Sequence, residues 1–545
     1  MSGTKADKRR LIKDPVWGNL EIFPWESELL NHFLFNRLHN IVQNSSAYKV
    51  YPGLKYTRFL HTVGVSHVAT QLFLNAAAKV EDEAKTALNK EAEIISRCLT
   101  SEAKVRIVNS IIRSVPCAEN HAVMLAAIRI AALIHDLGHL PFSHVFENAM
   151  DGFRQGELGK AIKLTERGKK KRGELNELLE PYEGQDGDCK LHELLGGMFV
   201  GVLQVSFAEV PELAGLMKAA LLVLRTNELP IGKGFIIGTI DADRIDFVRR
   251  DGFFSGLFNS SVDFGRLFAF YEIAYEEETM LWKPRPSSRA VSETEKLLLE
   301  RFLDYKYIVV HHRVHLYDEM MENILVRLMA NGTLERFVTN LCKLLRFLPE
   351  KQVRLHEQEE RVKLLQSLLT EFDDPWVEIE IRRQYAALRE GDDHTTKMLF
   401  EAYVEDRQCF RSAFKTDDDF QTLCSEYAPE LLRQEPNAVR NAFGASKYVL
   451  QEELGRLLKR AVLIGATDKK LSFGIRTDYA AKFIGVPDLR DFLLQKKVHS
   501  LTFNFWYAKD RVDGRPADVE HQEILAQALP WLQEKVTKQL QLTMD

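Results

Sequence analysis

Apolar residues along this chain recur at the helical period far more often than in strict alternation. In 28–40, ELLNHFLFNRLHN, the residues Leu29, Leu30, Phe33, Leu34 and Leu38 fall on one side of a helix. Residues 59–78 continue in the same manner, and 122–135 are nearly all apolar, which predicts a central helix buried on most sides. Further helices are expected at 192–206, 209–226, 240–250, 294–330, 334–346 and 355–371. Between them, 152–190 is polar and Gly-rich and holds the run Lys169-Lys170-Lys171-Arg172. It reads as an exposed insertion, since such runs are usually solvated loops and less often phosphate or nucleic-acid sites. From about residue 335 the character changes to long charged helices reaching about 465, with an acidic break at 371–375. Two β-like stretches follow, 471–477 and 498–507, the second alternating as a strand with one buried face does, and a last helix runs from 518 to about 542. The fold class is therefore mainly α, with a helical domain over 1–335 and a C-terminal α+β appendage over 336–545 of unstated role.

A length of 545 residues suits roughly two to four domains at about 150 residues each. With 45% hydrophobic and 28% charged residues the chain has ample material for a core, which excludes a disordered or fibrous protein. Lys and Arg number 73 against 78 Asp and Glu, a net charge of −5, so no global basic field marks a dedicated nucleic-acid binder. The longest apolar stretch, 122–134, is interrupted by Arg129 and too short to span a bilayer, and no apolar signal core follows the charged N-terminus. Six cysteines without a CxxC pair read as reduced thiols. These features predict a cytoplasmic globular enzyme or scaffold with no membrane partner.

The placement of histidines changes that bland picture. Of sixteen, four lie between 121 and 144, and His135-Asp136 closes the most apolar helix, in AALIHDLGHLPFSHVFE. An Asp and a His are costly at the end of a buried helix unless paired or bound. Gly138 and Pro141 end or bend the helix there, so its polar groups can open onto a cavity. His61 stands at a turn-to-helix entry three residues after Arg58, and 240–251, IDADRIDFVRRD, crowds Asp241, Asp243, Arg244, Asp246 and Asp251 into one helical stretch. The set His61, His135, Asp136 and Asp243 offers two imidazoles and two carboxylates, a donor set that suits Mn, Fe, Zn or Mg better than copper or an iron–sulfur cluster. His144 and Glu147, three residues apart, share a helix face, where the carboxylate can orient the imidazole.

Taken in order, DPVWGNLEIFP (14–24), FNRLHNIVQ (35–43), YPGLKYTRFLHTVGV (51–65), HDLGHLPFSHVFE (135–147), LHELLGG (191–197) and IDADRIDFVRRDG (240–252) resemble the HD-domain metal-dependent phosphohydrolases. The resemblance is greatest to the dNTP triphosphohydrolase (dGTPase-like) branch and fades after about residue 325. It implies an HD-domain helical core, with His61, His135, Asp136 and Asp243 holding one divalent ion and a second Mg accompanying the triphosphate. It places His139, His144, Glu147 and His192 in the pocket. An activated water would attack the α-phosphorus while His144, as imidazolium, protonates the leaving 5′-oxygen, giving a deoxynucleoside and inorganic triphosphate. His139, His192, Arg58 and Arg244 would hold the phosphates. Gln43 and Asp251 stand where the family meets the 3′-hydroxyl, and a tyrosine below the sugar aligns with His315, with Tyr317 two residues on.

The resemblance further implies a homo-oligomer, dimer or tetramer, and leaves room for a nucleotide effector, although Asn31 and His39 replace the residues that read a guanine activator. Two alternatives stand beside it. One is an HD phosphohydrolase acting on a nucleoside monophosphate, cyclic nucleotide or alarmone; the other is a nucleotide-sensing or nucleic-acid-binding scaffold supported by the 169–172 run.

Overall fold

The computed structural model describes residues 10–156, 158–160, 162–182, 190–346, 362–366, 372–388, 393–405, 408–444, 446–466, 503–509 and 517–542. The architecture is mainly α, with three small antiparallel sheets. Helix α1 (Arg58–Ala77) and helix α2 (Glu119–Ile134) pack against each other at the centre, and α1 also packs on the helix that carries the Asp cluster, Ala242–Ser255. Every residue from Ala122 to Ile134 is buried. The one charge among them, Arg129, is tolerated because its guanidinium is fully engaged. It bonds both carboxylate oxygens of Glu26 at 2.6 Å, Thr70 Oγ1 at 2.8 Å and the Glu21 carbonyl at 2.8 Å. No single helix among the described residues is long and apolar enough to cross a membrane.

Around this pair stand α3 (His144–Gln155), α4 (Glu166–Leu179), α5 (Leu191–Ser206), α6 (Ala242–Ser255), α7 (Val291–Asp304) and α8 (His312–Ala330). Two expectations change here. The polar 152–190 stretch is largely helical in its described part: Thr165 caps α4, Leu175 and Leu179 are buried, and Arg172 donates to the carbonyls of Arg154 and Gly156 at the end of α3. The continuous helix expected over 294–330 is broken. A π turn spans Tyr305–Val309, and the His311 side chain accepts from the Arg313 N–H to start α8 afresh. The β-branched run Ile308-Val309-Val310 is a poor continuation for α7, and the His311 cap competes with it.

Beyond residue 335 the helices are shorter than expected and two strands intervene. Helix α9 (Asp374–Ala387) packs on the helix His394–Val404, and helix α10 (Lys447–Leu458) packs on a three-stranded sheet in which Phe503–Ala508 pairs with both Phe410–Ser412 and Val462–Ala466. The strand expected at 471–477 and most of the helix expected at 355–371 lie outside the described residues. The Phe503–Ala508 strand is buried on both faces, not one. Trp506 and Ala508 join the main core, whereas Phe503, Phe505 and Tyr507 join a second core with Phe414, Leu454 and Leu529. Asn504, also buried, is satisfied by Ser412 Oγ at 3.1 Å and the Phe414 carbonyl at 2.7 Å.

One side of α8 is tied to this region. Lys447 lies against Glu319 and Glu322, at 2.5 and 2.7 Å, Tyr448 donates to Glu322 at 2.9 Å, and the His315 ring meets Trp506 edge-on at 5.1 Å.

Candidate active site

His61 sits in the first turn of α1 and is fully buried. Its Nδ1–H donates to Asp246 Oδ2 at 2.8 Å, which fixes the tautomer and turns Nε2 toward Asp243 Oδ1, 3.0 Å away. Asp246 is itself held by Trp17 Nε1 at 2.6 Å and by two guanidinium bonds from Arg250 at 2.8 and 2.9 Å. Arg250 reaches on to Asp14 at 2.8 Å, and Asp14 accepts the backbone N–H groups of Val16 and Trp17. Asp14, Asp246 and Arg250 are all essentially without solvent exposure. Only glycine fits at Gly64, because a Cβ there would lie 2.1 Å from Asp246 Oδ1 and 2.3 Å from an Arg250 nitrogen.

His135 follows the last residue of α2, with Nδ1 donating to the Ala132 carbonyl at 2.7 Å. Its Nε2 is 3.5 Å from Asp136 Oδ1 and 3.9 Å from Asp243 Oδ1, and His61 Nε2 is 3.7 Å from Asp136 Oδ2. Four residues from three helix ends thus converge. The buried Nε2 atoms of His61 and His135 have carboxylates nearby but no partner in hydrogen-bonding geometry. Two orphaned imidazole nitrogens facing two carboxylates fit a divalent cation of nitrogen/oxygen preference. Burial alone would lower the pKa of His61; the adjoining carboxylates of Asp243 and Asp246 outweigh it and raise the group to about 10. His135 and His61 hold Asp243 well below the usual carboxylate range against its burial.

The turn after His135 approaches α5 closely: a Cβ on Gly138 would lie 2.0 Å from the His192 carbonyl oxygen. This contact brings together a second group. The His139 and His192 rings stack at 4.2 Å and 14°, and His144 stands edge-on to both, at 5.1 and 5.5 Å. Glu147 accepts from His144 Nδ1 at 3.1 Å, from His192 Nδ1 at 2.8 Å and from the His192 backbone N–H at 2.7 Å. The i,i+3 spacing pointed to His144 alone; the bond to His192 arises only in the folded chain. Burial would raise the pKa of Glu147, but the bonds from His144 and His192 hold it far below the ordinary range. The donor atoms of this group lie within 4.8 Å of one another, as do those of His61, His135 and Asp243. Because Glu147 uses both its oxygens to orient imidazoles, the second group is built as a set of aimed histidines.

Both groups border one cleft of about 790 Å³, a volume that suits a nucleotide-sized ligand. Gln43, Arg58, Asp136, His139, His144, Glu147, His192, Asp243 and Asp251 line it. Arg58, the first residue of α1, pairs with Asp136 and donates through Nε to Ser143 Oγ at 2.9 Å. Asp251 accepts from Tyr56 Oη and Asn44 Nδ2, both at 2.6 Å. Burial pushes it up to about 6, against the pull of Tyr56, Asn44 and Asp304.

Three of the expected residues are not brought to the cleft. Arg244 folds back on its own helix start, where it bonds Asp241 and the Gly238 carbonyl. His315 lies 3.4 Å from Glu319 and against Trp506, and Tyr317 is buried in the main core. The restart of the helix at His311 sets which side of α8 faces inward, so Val314 and Asp318 line the cleft instead. Arg301, Asp304 and Tyr305, also in the lining, had been missed; the one available signal was Asp304, an acid within the apolar face of ERFLDYKYIV.

No family profile matches the chain. An uncharacterized protein of Methanocaldococcus jannaschii is 22% identical over 364 residues, 66% of this chain and 60% of its own length. The deoxynucleoside triphosphate triphosphohydrolase SAMHD1 of Gallus gallus is 32% identical over 144 residues, 26% of this chain and 17% of its own. The chain therefore spans less than two thirds of these relatives. This chain resembles the HD-domain phosphohydrolases. A crystal structure of a phosphohydrolase from Bacteroides thetaiotaomicron overlays with a TM-score of 0.55 at 17% identity, covering 92% of this chain and all of the other, so the likeness of fold extends past the region of sequence likeness.

Proposed function

We propose that this chain is a metal-dependent phosphohydrolase that cleaves deoxynucleoside triphosphates at the α-phosphate, releasing a deoxynucleoside and inorganic triphosphate. The observation that carries this reading is the adjacency, along one cleft, of the His61–His135–Asp136–Asp243 quartet and the three histidines around Glu147. A divalent ion held by that quartet would supply Lewis acidity, acidifying water and drawing charge from a phosphoryl group. Asp246, through Nδ1, and the Ala132 carbonyl, through the other Nδ1, keep both ligand imidazoles turned with Nε2 inward. Glu147 orients His144 so that its imidazolium can give a proton to the departing 5′-oxygen as the P–O5′ bond breaks. Arg58, His139 and His192 supply cationic and N–H contacts to the phosphate chain. Gln43 and Asp251 border the part of the cleft left for the sugar. Arg244, His315 and Tyr317 take no role in this scheme because of where they lie.

The test is product identity. Incubation of the protein with a dNTP and NTP panel in ¹⁸O-water, with Mn, Mg and Fe in turn, should yield triphosphate carrying the label and unlabelled deoxynucleoside. Pyrophosphate or orthophosphate as first product would mean that a different bond is cut, and label in the nucleoside would place the cleavage at carbon.

A second expectation concerns loading of the quartet. With its pKa raised to about 10, His61 keeps a proton at neutral pH that a cation must displace, so binding is weakest at low pH and strengthens toward 10. Calorimetric titration with Mn at pH 6.5 and 8.5 should give affinity rising by up to about tenfold per pH unit, with proton release. An affinity flat across that window would mean that His61 holds no proton there for the ion to displace.

A further inference from the structure

The segment that delivers His144 is conformationally unusual. Phe142 and Ser143 both have positive φ, 51° and 53°, which bulky or branched residues rarely adopt and keep only when their surroundings fix them. Ser143 occupies the N-cap position of α3 without making a side-chain cap bond. Its Oγ instead accepts from Arg58 Nε at 2.9 Å and donates to the Val42 carbonyl at 3.3 Å, while Ser45 Oγ donates to the Phe142 carbonyl at 2.8 Å.

The remaining brace comes from the C-terminal half. Asp374, the first residue of α9 and only 5% exposed, accepts the Phe142 N–H through Oδ1 at 2.7 Å and the Val42 N–H through Oδ2 at 2.8 Å. One carboxylate thereby joins the segment before Gln43 to the turn before His144. The neighbouring Asp373 adds a bond from Asn40 at 2.9 Å. Burial pushes Asp374 up to about 7, against the two N–H groups and Arg37, so an anion here is a costly group in a place that plain packing would fill with an apolar side chain. Asp374 does not line the cleft, and it lies well past the last motif of the family resemblance.

We propose that Asp374 is a positioning residue, holding the left-handed Phe142–Ser143 turn so that His144 is aimed at the leaving group and the Gln43 segment keeps its distance from it. This rests on the reading of His144 as the proton donor. Both N–H groups need an acceptor, so Asp374→Asn supplies one and sets an amide N–H against the other, and Asp374→Ala supplies none.

The experiment compares wild type, D374N and D374A by three readouts on the full chain. Amide exchange at Val42 and Phe142 should accelerate by about 100-fold or more relative to α2, as those bonds open locally. Turnover of a dNTP should fall about 10- to 100-fold with KM changed less than about threefold, and the alkaline limb of the pH–kcat profile, where a proton donor is lost, should move, as misaiming of a single group predicts. Mn bound per chain should stay at the wild-type value. Lower turnover with an unmoved pH limb, in proportion to lost folded protein, would make Asp374 merely structural and overturn the proposal; so would full turnover in D374A. If D374A does not fold, Ser45→Ala, which removes the brace on the Phe142 carbonyl, must show the same pattern in milder form. If the wild type turns over no dNTP, the functional reading fails by itself. The ¹³C-imidazole signal of His144, identified with H144Q, then decides: a shift in D374N upholds the positioning role and an unchanged signal ends it.

Discussion

Replacing His135 and Asp136 together by Ala should lower kcat/KM on any dNTP that is turned over by at least about a thousandfold, which is about 4 kcal/mol of lost transition-state stabilisation. Both residues follow the last helical residue of α2, and their side chains are 12% and 13% exposed, with Asp136 lining the cleft. Removing them deletes half of the quartet while leaving the apolar faces of α1 and α2 unaltered. The loss of Asp136 frees Arg58, which still has Ser143 Oγ and the open cleft to turn to. The thermal midpoint should therefore move by only a few degrees, and Mn retained after gel filtration should drop to background. Turnover preserved in the double variant would mean that the quartet is not the catalytic centre.

The largest stability effect is expected at Arg250→Ala. The guanidinium is completely buried between Asp14 and Asp246, and its removal leaves two carboxylates without their counter-charge in a site closed to water. Breaking a buried ion network by deleting one partner typically costs about 3–5 kcal/mol, and the midpoint of urea unfolding should shift accordingly. Asp246 also fixes the His61 ring, so Mn affinity should fall about 10- to 100-fold in whatever fraction remains folded. A change in stability below about 1 kcal/mol would show that water or a rearranged lysine compensates, and that the network is less rigid than its geometry implies.

His135 and Asp136 stood out in the chain because they close an apolar helix, where a charge is expensive without a partner, whereas Asp243, one of a run of acids, and His61 were singled out chiefly by the family resemblance. His144 with Glu147 was legible for a similar reason, being a polar pair at helical spacing. What stayed hidden depends on approach between distant segments. Glu147 reaches His192 only because Gly138 lets α5 come close, and Asp374 meets Val42 and Phe142 across more than 200 positions of chain. His315 and Tyr317 were displaced for a phase reason. A helix assumed continuous over 294–330 carries its facing residues forward in fixed steps, and the π turn with the His311 cap resets that count. Arg244 was misplaced because Asp241, in capping α6 through the Arg244 N–H, also captures its side chain. At the Phe503–Ala508 strand, alternation suggested one buried face, but the alternate residues Asn504, Trp506 and Ala508 are buried too, Trp506 and Ala508 against the main core.

That strand has a temporal consequence. During synthesis the helix carrying Val314 and Asp318 leaves the ribosome almost two hundred residues before the strand that covers its other side. Before Trp506 arrives, the carboxylates of Glu319 and Glu322 can already meet His315, Lys447 and Tyr448, but the His315 side of the helix that walls the cleft lacks its aromatic backing. A nascent chain thus carries the whole of the proposed quartet early, yet acquires a finished pocket only after Trp506 has emerged.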